Sequence, residues 1–319
     1  MLFPVSGVEI SPLVPLGVAF VISFFTSMGG VSGAFLLLPF QVSVLGFTSP
    51  AVSPTNLVFN IVAIPSGVYR YVKEGRMAWP LTWVVIIGTL PGVFLGAIIR
   101  IQYLPDPRAF KLFVGLVLLY IGGRLGHDLW RPRTGQDPME ARFKDRVAAQ
   151  RQARQSRLAA GLPPEAVIKT TKFTFTRLGY EFYGESFESS TWGIFALSLI
   201  VGIIGGTYGI GGGAIIAPFL VAVFGLPVYT VAGAALMGTF ITSIAGVGFY
   251  ALIAPWYAHT GLAIAPDWLL GGLFGIGGAA GMYCGARFQK FVPARLIKGL
   301  LAVVLAFLAL RYIGGYFIS

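Results

Sequence analysis

Two short stretches gather glycine beside hydroxyl and amide side chains: Gly29-Gly30-Val31-Ser32-Gly33 and Gly209-Ile210-Gly211-Gly212-Gly213. Each leads into an apolar run that contains Pro-Phe, at Pro39-Phe40 and Pro218-Phe219. A glycine break between apolar helices exposes the N-terminus of the second helix, whose N–H groups and dipole favour an anion. Polar side chains stand nearby at Ser32, Thr55, Asn56 and Asn60, and again at Thr207, Tyr208, Thr239, Thr242 and Ser243. Hydroxyl and amide donors suit a small oxyanion that must bind and then leave. The candidate binding residues are therefore Gly30, Ser32, Gly33, Asn56 and Asn60 from the first stretch. Gly209, Gly211, Gly212, Gly213, Thr239 and Thr242 are the candidates from the second. A competing reading applies to each residue alone: glycine marks close helix packing, and Ser or Thr bonds its own helix carbonyl. The pairing of the two breaks is what favours a site.

Other chemistries find no residues to carry them. No paired acids and no Ser–His–Asp order stand out, so no catalytic residue is assigned and no enzyme is expected. His127 and His259 are isolated and Cys284 is the only cysteine, which leaves neither a metal site nor a disulfide. Gly211-Gly212-Gly213 is not a phosphate loop, because no Lys-Ser/Thr follows it. No cofactor is implied. No Asp, Glu or His falls deep in an apolar run, so the usual intramembrane proton relay is not visible. Gln41 is the main uncharged polar oddity. A weakly acidic substrate could still carry a proton itself, and ionic coupling stays open.

The elements that would position these residues are membrane helices. The 319 residues are 56% apolar and only 11% charged, with 43 Gly and 20 Pro, and mean hydropathy is +0.79. A bilayer core of about 30 Å needs roughly 20 apolar residues per helix. The runs Pro54–Val72, Met77–Arg100, Phe110–Leu125, Val231–Ile253, Trp268–Arg287 and Pro293–Ile313 meet or approach that length. Shorter pairs, Leu13–Ser27 with Ala34–Leu45 and Trp192–Gly206 with Ala214–Phe224, flank the glycine breaks. The expected fold is an all-α polytopic membrane protein of roughly 8–10 membrane helices with short Gly-broken helix pairs. Trp79, Trp83, Trp192, Trp256 and Trp268 read as interface anchors.

Charge is concentrated between Gly126 and Ser190, which holds eleven of the 23 Lys and Arg and eight of the 12 Asp and Glu. With that segment in the cytoplasm, 19 of the 23 basic residues share its side and only Arg100, Arg108, Lys111 and Arg311 lie opposite. That satisfies the positive-inside rule and puts both termini outside. The net charge of +11 is thereby explained by topology, and no nucleic-acid partner is expected. The first basic residue is Arg70, so a cleavable signal peptide is not expected either. Within the polar segment, Pro138–Ala160 reads as a helix. Lys169–Phe187 reads as a β-hairpin turning at Gly179, giving a small cytoplasmic α+β insert.

Shifting the chain by 179 residues lays Gly30–Tyr71 on Gly209–Tyr250 without a gap. Gly33/Gly212, Pro39/Pro218, Phe40/Phe219, Leu57/Leu236 and Tyr71/Tyr250 then coincide, and Gly92-xxx-Gly96 matches Gly281-xxx-Gly285 further on. The domains are read as residues 1–125 and 191–319, two membrane repeats, separated by the insert 126–190. An odd number of crossings in each repeat makes the copies inverted. Inverted repeats with Gly-interrupted segments are the sequence pointer to a secondary transporter.

Gly209-Ile210-Gly211-Gly212-Gly213 with Pro218 and the region Ala234–Thr239 resembles the sulfite exporter TauE/SafE family of membrane permeases. The first break, with Pro39, is a looser version in which Ser32 stands for a glycine. The resemblance covers both membrane halves and excludes most of 126–190. It implies movement of sulfite, an organosulfonate or another small organic acid across the bacterial inner membrane. Alternating access of the repeats would carry that movement. Expected partners are a small anionic substrate, the lipid bilayer and, as a further candidate, a second copy of the chain. An anion channel, or a sensor or scaffold signalling through the insert, are the alternatives.

Overall fold

The computed structural model describes residues 1–29, 32–73, 75, 77–130, 168–182, 185–288 and 294–318. A short N-terminal hairpin, β1 (Leu2–Phe3) with β2 (Val8–Glu9), precedes the first membrane half. That half comprises α1 (Leu13–Gly29), α2 (Ala34–Ser43), α3 (Val52–Ala63), α4 (Pro65–Lys73), α5 (Trp79–Gln102) and α6 (Pro107–Trp130). The second half repeats the order as α7 (Thr191–Tyr208), α8 (Gly213–Phe224), α9 (Val228–Ile253), α10 (Trp268–Phe288) and α11 (Ala294–Ile318). Helices α5, α6, α7, α9, α10 and α11 carry the six stretches long and apolar enough to cross a membrane, the one on α9 running on through a 3-10 helix to Thr260. With 10 and 12 residues, α2 and α8 reach only about 15 and 18 Å.

The run Pro54–Val72 was expected to be one helix and is two. Pro65 has no N–H to continue the α3 ladder, so α3 stops at Ala63 and α4 restarts at Pro65. The matched position in the second half is Ile244, and α9 runs unbroken for 26 residues. This one residue type accounts for the main asymmetry between the halves.

Packing exchanges the halves. Helix α1 lies against α10 and α7 against α5; α3 packs on α10 and α9 on α5; α6 meets α11, and α3 meets α9. Each contact is the counterpart of another, or of itself, under exchange of the first half with the second. Glycine ridges make the closest of them. On α5, Gly88, Gly92 and Gly96 lie on α7, and a Cβ at Gly92 or Gly96 would overlap the carbonyl oxygens of Leu199 or Ile203. On α10, Gly277, Gly281 and Gly285 lie on α1 and would overlap the carbonyl oxygens of Leu16, Phe20 and Phe24. Lipid offers no hydrophobic force to join helices, so this backbone-to-backbone fit is what holds them.

Beyond α6 the chain is described again in a three-stranded antiparallel sheet, β3 (Lys169–Phe173), β4 (Arg177–Phe182) and β5 (Glu185–Ser190). The expected turn at Gly179 is not there. Thr174 makes the turn, its N–H donating to Arg177 O at 2.9 Å while its Oγ1 accepts from Arg177 N at 3.0 Å. Gly179 instead sits within β4, opposite Lys172 and Glu188. The sheet is anchored on the second half by Tyr180, whose hydroxyl lies 2.7 Å from Thr230 Oγ1. Burial pushes that phenol up to about 12, against a smaller lowering from Thr230. The helix expected over Pro138–Ala160 lies outside the described residues.

Among the described residues, the buried charged groups are Arg100 and Asp267, both at helix ends. Asp267 heads α10, accepting from Leu270 N at 3.1 Å and from Ser6 N and Oγ at 3.1 and 2.9 Å. Arg100 was counted from the sequence as a charge of the outer face, but it is fully buried. Its guanidinium donates to Leu104 O and to Thr48 O, and lies 3.7 Å from the centre of the Phe110 ring. A cation at a helix C-terminus that closes free carbonyls is stabilising, and an aromatic face supports it.

Candidate functional site

Helix α7 is capped just past Tyr208 by Gly209, whose φ of +88° closes the helix by a donation from Gly209 N–H to Gly205 O. A side chain there would also press on the backbone of Ser53, with Cα only 2.6 Å away. Gly211 follows with φ +77°. The chain then re-enters helix at Gly213, where a Cβ would lie 2.6 Å from Thr239 N. The second break is thus pressed between α3, α5 and α9, and at Gly209, Gly212 and Gly213 only glycine fits. In the first half α1 ends at Gly29 and α2 starts after Ser32 and Gly33. Ser32 Oγ accepts from Ala34 N at 3.3 Å. The candidate Gly30 lies outside the described residues.

Pro39 and Pro218 occupy the same position, the sixth residue, of α2 and α8. Lacking an N–H, each frees the carbonyl four residues earlier. In α2 that carbonyl is Phe35 O, and Tyr208 at the end of α7 donates its hydroxyl to it at 2.9 Å. The proline carbonyls are held in turn from the α6/α11 pair, Pro39 O by Tyr312 OH at 3.2 Å and Pro218 O by Arg124 Nη2 at 3.3 Å. One prediction follows from the freed carbonyl. Tyr208→Phe should cost about 1 kcal/mol of thermal stability in the native background, and clearly less beside Pro39→Ala, which supplies Phe35 O with a helical partner. A double-mutant cycle measured by thermal unfolding checks it; equal costs in both backgrounds would remove the hydroxyl's role.

Asn56 ties the two breaks together. Its Nδ2 donates to Ala34 O at 3.2 Å and to Gly209 O at 2.9 Å, while its Oδ1 accepts from Gln41 Nε2 at 3.3 Å. One turn on, Asn60 Nδ2 donates to Ile210 O at 2.9 Å and to Ser243 Oγ at 3.4 Å. Thr242 Oγ1 accepts from Gly212 N at 3.2 Å and donates to Gly238 O at 2.6 Å. Thr239 donates to Ala235 O at 2.8 Å. The structure therefore brings Gly209, Gly211, Gly212, Gly213, Asn56, Asn60, Thr239 and Thr242 to one place, with Gly33 and Ser32 at the start of α2 on the other side of Asn56.

The roles differ from the expected ones. The asparagine donors were expected to face a ligand and instead hold carbonyls of the breaks, and the threonine hydroxyls bond their own helices. Donors for an anion are left on the backbone: among the described residues, no acceptor pairs with the N–H groups of Gly211 and Gly213, both buried. Three buried side-chain atoms in this region also lack a partner: Oδ1 of Asn60, which holds Ile210 O, Oε1 of Gln41, which meets Asn56, and Ser23 Oγ near Gly33. Ser23 lies against the start of α2, 2.8 Å from where a Cβ on Gly33 would stand. Thr55 turns elsewhere, accepting from Asp267 N at 2.9 Å. Ser23, Ser53 and Thr89 were missed from the sequence. Ser53 Oγ donates to Thr207 O at 3.1 Å, and Thr89 Cβ would stand 2.5 Å from a Cβ on Gly212. The only signal for Thr89 was its place beside the Gly88 ridge.

Two N–H groups at the head of α8, in a neutral polar ring inside an apolar bundle, can hold an anion without a fixed countercharge. Among the described residues no group of His, Cys, Asp or Glu is placed to hold a metal. Broken helices facing each other inside a bundle of six membrane-long helices, from two halves built alike, define a multi-pass membrane transporter. The family comparison gives the class a name. The chain belongs to the sulfite exporter TauE/SafE family, whose model matches residues 16–312 and so covers both halves. This is a family of membrane transporters and not of enzymes. No curated protein and no solved structure matches the chain.

Proposed function

We propose that the protein is a secondary transporter that moves sulfite, an organosulfonate or a similar small organic acid across the bacterial inner membrane. Residues 1–125 and 191–319 act as repeats of opposite orientation. The insert 126–190 lies in the cytoplasm and both termini lie outside. The observation that carries the reading is the pair of breaks joined at Asn56, with the Gly211 and Gly213 N–H groups unpaired beside them. An anion would accept from those N–H groups. Ser32, Gly33, Gly212, Thr239 and Thr242 would shape the space around it.

The breaks are packed shut by backbone, so an anion reaches them only if one half moves against the other. Reciprocal packing supports that movement, because the same contacts can be exchanged at the two membrane faces. Proteoliposomes carrying the purified protein test the reading through uptake of labelled sulfite. Sulfate, taurine, sulfoacetate and acetate serve as competitors. Saturable flux with counterflow is the expected result, and the strongest competitor names the substrate class. Flux linear in concentration would make it a channel. Sealed vesicles with no anion flux would end the transporter reading.

A further inference from the structure

Of the four basic residues on the face away from the insert, Arg100 is spent on Leu104 O and Thr48 O. The other three, Arg108, Lys111 and Arg311, converge on one pocket. It has a volume of about 400 Å³ and is also lined by Ser43, Val42 and Tyr312. Helices α6 and α11 run antiparallel, since Gly115 lies against Tyr312 and Gly122 against Leu305. The pocket is thus at the start of α6 and the end of α11, the end of that pair opposite the insert.

Three cations around one opening repel each other unless something negative sits between them. Among the described residues none of the three forms an ion pair with a carboxylate. The neighbouring acid, Asp106, accepts from Ala109 N at 2.9 Å and caps α6. The pocket floor is polar as well. Ser43 Oγ lies 2.6 Å from Tyr312 OH, which donates to Pro39 O at 3.2 Å. Topology alone does not account for the cluster, because basic residues are disfavoured on this face.

We infer that this pocket is a binding site for a phosphate- or sulfonate-type oxyanion, held by Arg108, Lys111 and Arg311. It is separate from the glycine breaks and does not depend on their role. The oxyanion is either the headgroup of an anionic phospholipid or a free ion. The pocket suits the first by its place at a helix-pair end and the second by its polar floor. Either occupant would rest against the last turn of α2, the helix whose first turn borders the breaks.

Native mass spectrometry and thermal unfolding of the full-length protein in detergent distinguish the sources. The probes are phosphatidylglycerol, phosphatidylcholine, inorganic phosphate and sulfite. In the variant Arg108→Gln/Lys111→Gln/Arg311→Gln, binding should fall roughly fivefold per charge removed, on the order of a hundredfold for all three. Loss confined to phosphatidylglycerol identifies a lipid headgroup; loss of phosphate or sulfite binding identifies a free oxyanion. The charge-conserving variant Arg108→Lys/Arg311→Lys should keep most of the affinity, which separates charge from damage to the fold. Equal binding by the triple variant and the native protein would overturn the inference. So would a native protein with no preference for any of the anions over phosphatidylcholine.

Discussion

Asn56→Leu is expected to carry less than about a tenth of the native anion flux, the factor that about 1.4 kcal/mol represents, while still inserting and remaining folded. Leucine keeps much of the volume but withdraws both donors, so Ala34 O and Gly209 O lose their shared partner and Gln41 Nε2 loses an acceptor. Hydrogen bonds between membrane helices average about 0.6 kcal/mol in mutant cycles. The stability cost is therefore roughly 1–2 kcal/mol, too little to unfold the bundle. The cost to position is larger, since Asn56 is the side chain seen to bond both breaks. Asn56→Asp should be at least as damaging: it places an acceptor against two carbonyls and a negative charge beside the proposed anion. Flux per inserted protein in proteoliposomes decides it. Native flux in Asn56→Leu would take this residue out of the transport machinery.

The second large effect is on stability and is expected twice. Gly92→Val and Gly281→Val place side chains at matched points of the two glycine ridges. At Gly92 the new atom meets Leu199 O, Ile203 N and Gly202 C; at Gly281 it meets the O, C and Cα atoms of Phe20. All of these are backbone, so nothing swings aside and the helices must separate. Overpacking of this kind costs about 1–3 kcal/mol, which lowers the melting temperature by roughly 2–12 °C at about 2–4 °C per kcal/mol. The two losses should agree, because each ridge packs on the first helix of the other half. Gly248→Ala is the control: nothing lies within 4 Å of its added Cβ, and a better helix former should be neutral or mildly stabilising there. A large loss at Gly92 with none at Gly281 would mean that the two ridges do different work.

The glycine breaks and the long spans were legible because each rests on a local or periodic demand. A helix whose backbone touches another backbone can carry only glycine at the contact, so Gly92-xxx-Gly96 and Gly281-xxx-Gly285 announce their partners' approach. The Pro65 break is local too, but hydropathy does not show it, because apolar residues continue on both sides, at Ile61–Ile64 and at Val68. What could not be read is the use to which donors are put. Asn56 and Gly209 are 153 residues apart, and no spacing shows that the amide holds a carbonyl where a ligand was expected. Arg100 failed for the same reason. A lone arginine at the end of an apolar run looks solvated until Thr48, Leu104 and Phe110 are seen around it.

The exchange of partners between the halves also governs how the protein can be made. Helix α1 leaves the ribosome well before its partner, since the glycine ridge that covers Leu16, Phe20 and Phe24 lies about 260 residues downstream on α10. At about 5–20 residues per second, α1 waits roughly 13 to 50 seconds in the bilayer before its partner is synthesised. During that interval its glycine-matched face must rest against lipid or the insertion machinery. Neither half can close its own bundle, so a chain cut within the insert should yield two incomplete bodies that become stable only when expressed together.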